Sequence, residues 1–368
     1  MSQNFYEEYI KETEPDKQYK SYLWATAIGL QKVDNLQTSD FLNEVARENI
    51  EGIINFEQVQ QRVNKYYCSD ENKSEKIYTE EGDKVSTNIV KVLAEQAFSL
   101  TPNEYISIHR KLFDGILDSA GKIRNYNIKK EEWVLSGKSV IYGTASELKT
   151  TLEYDITQEK MFKYDNLSIE DIIKHLAEFI SKLWQIHIFE EGNTRTTSVF
   201  LIKYLRTLGY NVSNDIFAQN ARYFRNALVR ANYSDLKLRI NKTTEYLENF
   251  LRNLLIQEKN ELKSRYLHID KNFVKYLLEQ EKNKKPDIQK EKPDIQNLSD
   301  INISHLHKMF EKYKTDVVFG RTDVEKLLYL KPSRTSELLK LFLNKGFIEQ
   351  VKGFGKGKYK FSKNINFK

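Results

Sequence analysis

The sequence predicts a mainly α protein: a helical core carrying a short β-hairpin, followed by a small α+β domain. Three observations predict it. Chain breakers are few, with 14 glycines and 5 prolines in 368 residues. Long Leu/Ile/Lys/Glu-rich stretches occur, and their apolar residues recur at helical spacing. A hydrophobic content of 40% can supply a core, and the length suits two or three domains. The start, MSQNFYEEYIKE, is acidic and polar, and no run of eighteen apolar residues occurs, so neither secretory signal nor membrane span is expected. The single cysteine, Cys68, has no intrachain disulfide partner and suits a reducing compartment. The net charge of +6 is uneven, because residues 301–368 hold 15 Lys/Arg against 6 Asp/Glu. Affinity for nucleic acid, if present, belongs there.

The first unit is expected over 1–67 as three helices. Tyr22 to Val33 is apolar and ends at Asp34-Asn35, Thr38-Ser39 starts a helix reaching Ile50, and a third runs from Phe56 to Tyr67. A larger domain follows over 68–282. Within it, Trp133-Val134-Leu135 and Val140-Ile141-Tyr142 flank Ser136-Gly137-Lys138-Ser139, which reads as a hairpin. Ser168 with Asp171 forms a helix-start signal, and Ile172, Ile173, Leu176, Phe179, Ile180 and Leu183 continue at helical spacing to His187. The next helix, Thr194 to Leu208, is apolar nearly all round and is stopped by Gly209. Two Lys-Pro-Asp-Ile-Gln copies break the chain over 283–300 as a linker, and 301–368 reads as an independent domain of short helices and two strands.

Chemistry concentrates in His187-Ile188-Phe189-Glu190-Glu191-Gly192-Asn193-Thr194-Arg195, the connection between two buried helices. A helix opening near Asn193 leaves its first amides free for an anion, and Gly192 allows close backbone approach. Arg195 can add a forked cation and Glu191 can hold Mg²⁺, while His187 titrates near neutrality and can accept a proton. Base, metal carboxylate, anion nest and arginine together describe phosphoryl or nucleotidyl transfer. Other motifs are set aside. Gly137-Lys138-Ser139 has Glu132 where a phosphate loop needs its first glycine, and no second histidine joins His187 in a zinc pattern.

The stretch resembles the signature of the Fic family, His-x-Phe-x-Asp/Glu-Gly-Asn-x-Arg-x-x-Arg, and meets every specified position except the last, where Ser198 stands. The resemblance spans about Thr87 to Arg252 and includes Gly121-Lys122-Ile123-Arg124, similar to the segment that precedes the family's flap. It implies a protein adenylyltransferase that moves AMP from Mg·ATP to a Ser, Thr or Tyr hydroxyl of a target protein or of itself, in a bacterial cytoplasm. His187 would be the base and Glu191 the Mg²⁺ ligand. Gly192, Asn193, Thr194, Arg195 and Ser198 would face the nucleotide phosphates, with Tyr223 and Asn226 near the nucleoside. Leu135, Lys138, Ser139 and Tyr142 would form the flap that docks the target by strand addition. The N-terminal unit resembles an antitoxin-like module. Its Arg47-Glu48-Asn49-Ile50-Glu51-Gly52 is similar to an inhibitory helix motif, with Glu51 as the regulatory residue. Ser198 cannot pair with phosphate as a guanidinium does, so a clamp by Glu51 is expected to be weak.

The C-terminal stretch resembles a winged helix-turn-helix. Ser333 would cap a recognition helix presenting Arg334, Thr335 and Ser336, and Lys356 and Lys358 would lie in the wing, with double-stranded DNA as partner. Two other functions compete with adenylyl transfer: a DNA-binding regulator whose Fic fold senses nucleotide, and a Fic enzyme moving UMP or phosphocholine. No membrane partner is expected. A homodimer is compatible with the sequence.

Overall fold

The computed structural model describes residues 14–69, 78–212, 215–272, 300–315, 317–328, 330, 332–345, 347–351 and 357–362. The chain divides into two compact units, Met1–Tyr276 and Leu277–Lys368. The first is helical: α1 (Pro15–Leu30), α2 (Asp40–Ile50), α3 (Phe56–Cys68), α4 (Glu80–Ala94), α5 (Pro102–Phe113), α6 (Leu148–Met161), α7 (Ile169–Ile186), α8 (Asn193–Thr207), α9 (Ile216–Ala231) and α10 (Glu245–Ile256). Among the described residues no helix is long and apolar enough to cross a membrane. The Lys-Pro-Asp-Ile-Gln copies lie outside the described residues.

Local chemistry sets the helix ends. Pro15 opens α1 where a missing N–H costs nothing, Ser39 caps α2, Thr101 caps α5 and Ser168 caps α7, each hydroxyl accepting a first-turn amide. Asn55 and Gln58 cap α3 reciprocally. At the far end of α4, the buried Lys203 ammonium donates to the carbonyls of Val92 (3.0 Å) and Glu95 (2.6 Å), the groups a helix C-terminus leaves open.

One core serves the whole unit. Trp24 and Leu23 of α1, Val45 of α2, Val59 of α3, Phe200 of α8 and Phe224 of α9 belong to a single apolar cluster, so the three N-terminal helices share the interior of those that follow. Buried polar groups stitch them. Asp83 of α4 accepts from the Ser39 amide (2.9 Å) and from the hydroxyls of Ser39 and Tyr67, which fixes the starts of α2 and α4 and the end of α3 together. Helix α1 lies so close to α9 that a β-carbon on Gly29 would stand 2.4 Å from the backbone of Ala218.

The expected hairpin does not form. Trp133–Leu135 is a 3₁₀ turn, followed by Ser136 and Gly137 at φ of 53° and 80°. One backbone bond crosses the segment in each direction to Glu132, from its amide to the Lys138 carbonyl (2.9 Å) and to its carbonyl from the Gly137 amide (3.1 Å). The reason lies in the side chains: Val134 and Leu135 are both fully buried, whereas adjacent residues of a strand must face opposite sides. Burial of both winds the backbone into a turn. We refer to residues 124–143 as the strap.

The second unit runs α11 (Asp300–Tyr313), β1 (Phe319–Gly320), α12 (Arg321–Leu328), α13 (Pro332–Asn344), β2 (Ile348–Gln350) and β3 (Lys358–Phe361). Its strands form an antiparallel sheet of order β1-β3-β2. A separate core of Leu306, Met309, Phe319, Val324, Leu338, Phe342 and Phe361 holds it together.

Candidate active site

Helix α7 ends where His187 turns into the left-handed region (φ 48°), and α8 opens from Gly192 (φ 74°). Between them the chain is tied by its own side chains. The Asn193 amide group accepts from the Phe189 N–H (3.0 Å) and donates to the Phe189 carbonyl (2.8 Å), closing a ring of five residues. Gly192 is required twice over, by its positive φ and because a β-carbon would meet the Phe113 ring at 2.2 Å. The first helical bond of α8 runs from the Thr196 amide to the Gly192 carbonyl (3.0 Å), so the amides of Asn193, Thr194 and Arg195 precede the ladder, as an anion nest needs.

His187 is buried, its ring between Tyr142 (centroids 4.4 Å apart) and Trp184 (5.2 Å, perpendicular). Burial first, and then the positive field of Lys130, push its pKa well below the ordinary histidine value, so the imidazole is neutral at neutral pH. Its Nδ1 is buried without a hydrogen-bond partner. Arg124 holds the backbone around it. The Arg124 guanidinium donates to the carbonyls of His187 (2.7 Å), Gly143 (2.6 Å), Ile186 (3.3 Å) and Tyr126, and its amide donates to the Ile188 carbonyl (3.0 Å).

His109 supports the loop from below. Its Nδ1 accepts from the Gly121 amide (2.8 Å), which leaves the proton on Nε2 to donate to the Glu191 carbonyl (3.1 Å). Its ring stacks on Phe189 at 3.7 Å, and burial lowers its pKa to about 4. Above the loop the strap supplies charge: the Tyr126 hydroxyl donates to Glu190 (2.7 Å), and the Lys130 ammonium lies 3.2 Å from the exposed Glu191 carboxylate. Glu132, fully buried, takes both branches of the Arg225 guanidinium (2.6 and 3.1 Å) and the Tyr142 hydroxyl (3.1 Å).

The structure brings His187, Glu191, Gly192 and Asn193 into one loop and sends the others elsewhere. Arg195 is buried with its guanidinium 2.9 Å from Asp34, 2.8 Å from Glu81 and 3.1 Å from the Gln31 side-chain Oε1, over the Phe113 ring at 4.8 Å. The Asp34 contact is close in distance while the Arg195 Nε–H points away from it. The Thr194 hydroxyl accepts from the Trp184 indole (3.0 Å), and the Ser198 hydroxyl, fully buried, donates back to the Thr194 carbonyl (2.9 Å). Tyr223 donates to the Tyr246 carbonyl (3.2 Å), tying α9 to α10, and Asn226 keeps a buried Nδ2 without a partner. Glu51 ends α2 and pairs with Lys17 at 3.0 Å, whereas the carboxylates that meet the motif arginine are Asp34, just after α1, and Glu81, in the first turn of α4. In the strap, Leu135 is buried and Tyr142 nearly so, Lys138 pairs with Asp235 (2.7 Å), and the Ser139 hydroxyl accepts from the Lys130 amide (3.2 Å). Strand addition along Leu135 to Tyr142 meets a turn here, not an open strand edge. In the second unit Arg334 pairs with Glu337 (3.1 Å), Ser336 donates to the Pro332 carbonyl (2.9 Å), Thr335 is fully buried, and Lys358 lies 3.6 Å from Asp323. Lys356 lies outside the described residues, and α13 begins at Pro332, before Ser333.

No local sequence pattern marks His109, Lys130 or Glu81. Asp34 was read only as a helix end and Glu132 only as a mismatch in a phosphate-loop pattern, while Arg124 and Arg225 stood in stretches singled out for other residues.

A neutral histidine thus ends α7, and after a short loop the first amides of α8 stand before its hydrogen-bond ladder, an arrangement able to meet negative charge with backbone dipoles. Residues 99–205 match the Fic/DOC family, which makes this segment a Fic/DOC family domain. Among solved structures, the chain is similar to the N-terminal FIC domain of Bep8, a VirB-translocated Bartonella effector protein from Bartonella sp. 1-1C. Identity is 15% over 52% of this chain and 88% of that one, with a TM-score of 0.39. No curated protein matches.

Proposed function

We propose that the chain is a protein adenylyltransferase that moves AMP from Mg·ATP to a protein hydroxyl. The observation that carries this reading is a neutral His187 held at the junction of α7 with the amide-lined opening of α8. His187 takes the proton of an incoming Ser, Thr or Tyr hydroxyl. The oxygen then bonds to the α-phosphorus, the bond to the β-phosphate breaks, and pyrophosphate leaves. The amides of Asn193 to Arg195 face the phosphate charge. Arg195 is already engaged by Asp34 and Glu81, so Lys130, beside Glu191, is the side-chain cation nearest the loop's carboxylate.

Glu191 fits the part a protein plays toward Mg²⁺. Its carboxylate is exposed at the loop that opens α8, 3.2 Å from the Lys130 ammonium, where one protein oxygen ligand can join an ion already held by substrate phosphates. Bound there, the ion would neutralise phosphate charge and orient the leaving group. Incubation with ATP and Mg²⁺, followed by intact mass, tests the reading. A gain of one AMP on the chain or a co-incubated protein, lost by a hundredfold or more in His187→Ala, supports it. Label that persists at full rate in that variant overturns it, and a mass gain with UTP or a choline-phosphate donor in place of ATP would reassign the transferred group. Because the His187 pKa is lowered, the acid limb of kcat/KM should lie below pH ~6.5, the ordinary histidine value.

A second reading, of a DNA-binding regulator, is favoured by one observation: the second unit's order of helix, strand, two helices and two strands, with Arg334 and Ser336 exposed on α13. Duplex affinity that falls steeply with salt supports it, and a flat response removes it.

A further inference from the structure

The end of α9 and the chain that follows enclose a cavity of about 300 Å³, lined chiefly by Arg230, Arg239, Asn241, Tyr246, Tyr266 and Lys271. It shares no lining residue with the motif loop or the strap. Three of its side chains are cationic, and none of those lining it is a carboxylate. The informative one is Arg230. It is 8% exposed, and its Nε and Nη1 are buried without a hydrogen-bond partner. Burial lowers its pKa, and the Tyr246 phenol, hydrogen-bonded to the guanidinium, pushes the other way.

An arginine cannot escape burial by losing its proton, and a neutral phenol meets one donor without balancing the charge, so the donors left over call for an anion. A guanidinium fork matches a phosphate or carboxylate in two bonds at once. Arg239 and Lys271 are both exposed and stand at the rim, where they can draw an anion inward from solvent. The volume admits one compact molecule and no polymer. Tyr246 and Tyr266 add aromatic wall, which favours a ligand with a flat body behind its charged head.

From these observations we infer that this cavity is a second ligand site, taking a small phosphate-bearing molecule anchored on Arg230. The inference is independent of the transferase reading; its test excludes metal to weaken phosphate binding at the motif loop, and uptake that is indifferent to Arg230 and Arg239 is assigned to that loop's amides. Titration calorimetry on the full chain in EDTA would use inorganic phosphate, pyrophosphate and AMP as separate probes. The expected result is one molecule bound per chain. Affinity should fall on the order of tenfold in both Arg230→Gln and Arg239→Gln and stay unchanged in His187→Ala. Tighter binding of AMP than of phosphate would assign the aromatic wall to a nucleoside, and equal binding would assign the site to the phosphate group itself. Arg239 is exposed, so its variant reads the site even if Arg230→Gln fails to fold. No uptake of any probe, or affinity indifferent to Arg239→Gln and Lys271→Gln, overturns the inference.

Discussion

The motif loop and the strap lie against each other yet are held in different ways. The loop is closed on itself by bonds four residues apart, Asn193 to Phe189 and Thr196 to Gly192, and is then buttressed from outside by Arg124 and His109. The strap is held by partners far along the chain: Lys130 on Glu191, Glu132 on Arg225, Lys138 on Asp235, and Ile269 donating to the Val134 carbonyl (2.9 Å). A loop of the first kind is specified where it is written. A segment of the second kind takes its shape from residues that must first be brought to it, which makes it the part whose conformation other events can alter.

That contrast can be broken by mutation. The largest effect is expected for Glu132→Ala, which strips a fully buried carboxylate from the Arg225 guanidinium. Losing one partner of such a pair costs about 4 kcal/mol, and denaturant unfolding would read it. If the strap is a separate unit, amide exchange should rise over 124–143 well before it rises in α7 and α8. Uniform exchange would contradict the distinction. Gly192→Ala attacks the loop instead. A left-handed backbone and a collision with Phe113 together cost about 3 kcal/mol, and the nest amides should lose phosphate or nucleotide binding with it. A thermal midpoint equal to the parent's would show that Phe113 yields easily.

Acid sharpens the comparison from the side of the loop. The His109 pKa of about 4 lies below the unfolded value of about 6.5, so the unfolded chain binds the extra proton between them. Stability from this group is complete above pH ~6.5 and is lost as pH falls toward ~4, by up to roughly 3 kcal/mol at the acid end. The depressed His187 acts in the same direction. Unfolding free energies measured across that window should show the slope, and His109→Gln should reduce it; an unchanged slope would place the protonation elsewhere. The smallest effect is expected for Glu51→Gly. Because Glu51 pairs with Lys17 and not with Arg195, adenylyl transfer should change by no more than a few-fold, and a several-hundredfold rise would return an inhibitory role to it.

The same division separates what could be read in advance from what could not. Ser39, Ser168 and the Gly209 stop marked helix ends correctly because a cap is a local event. His187 and the opening of α8 could be placed for the same reason. The strap could not. Its residues read as two strands because they are β-branched and aromatic, and the signal that overrides this is the burial of both Val134 and Leu135. Arg195 was assigned to phosphate by its position in the first turn, while its partners Asp34 and Glu81 stand 161 and 114 residues away, where no spacing rule connects them.

The near-touching backbones at Gly29 and Ala218 carry a practical consequence. Any event that pulled the leading helix off would open a seam through the centre of the unit and uncover Trp24's socket, so a proteolytic or engineered trim there should yield an insoluble remnant instead of a liberated enzyme.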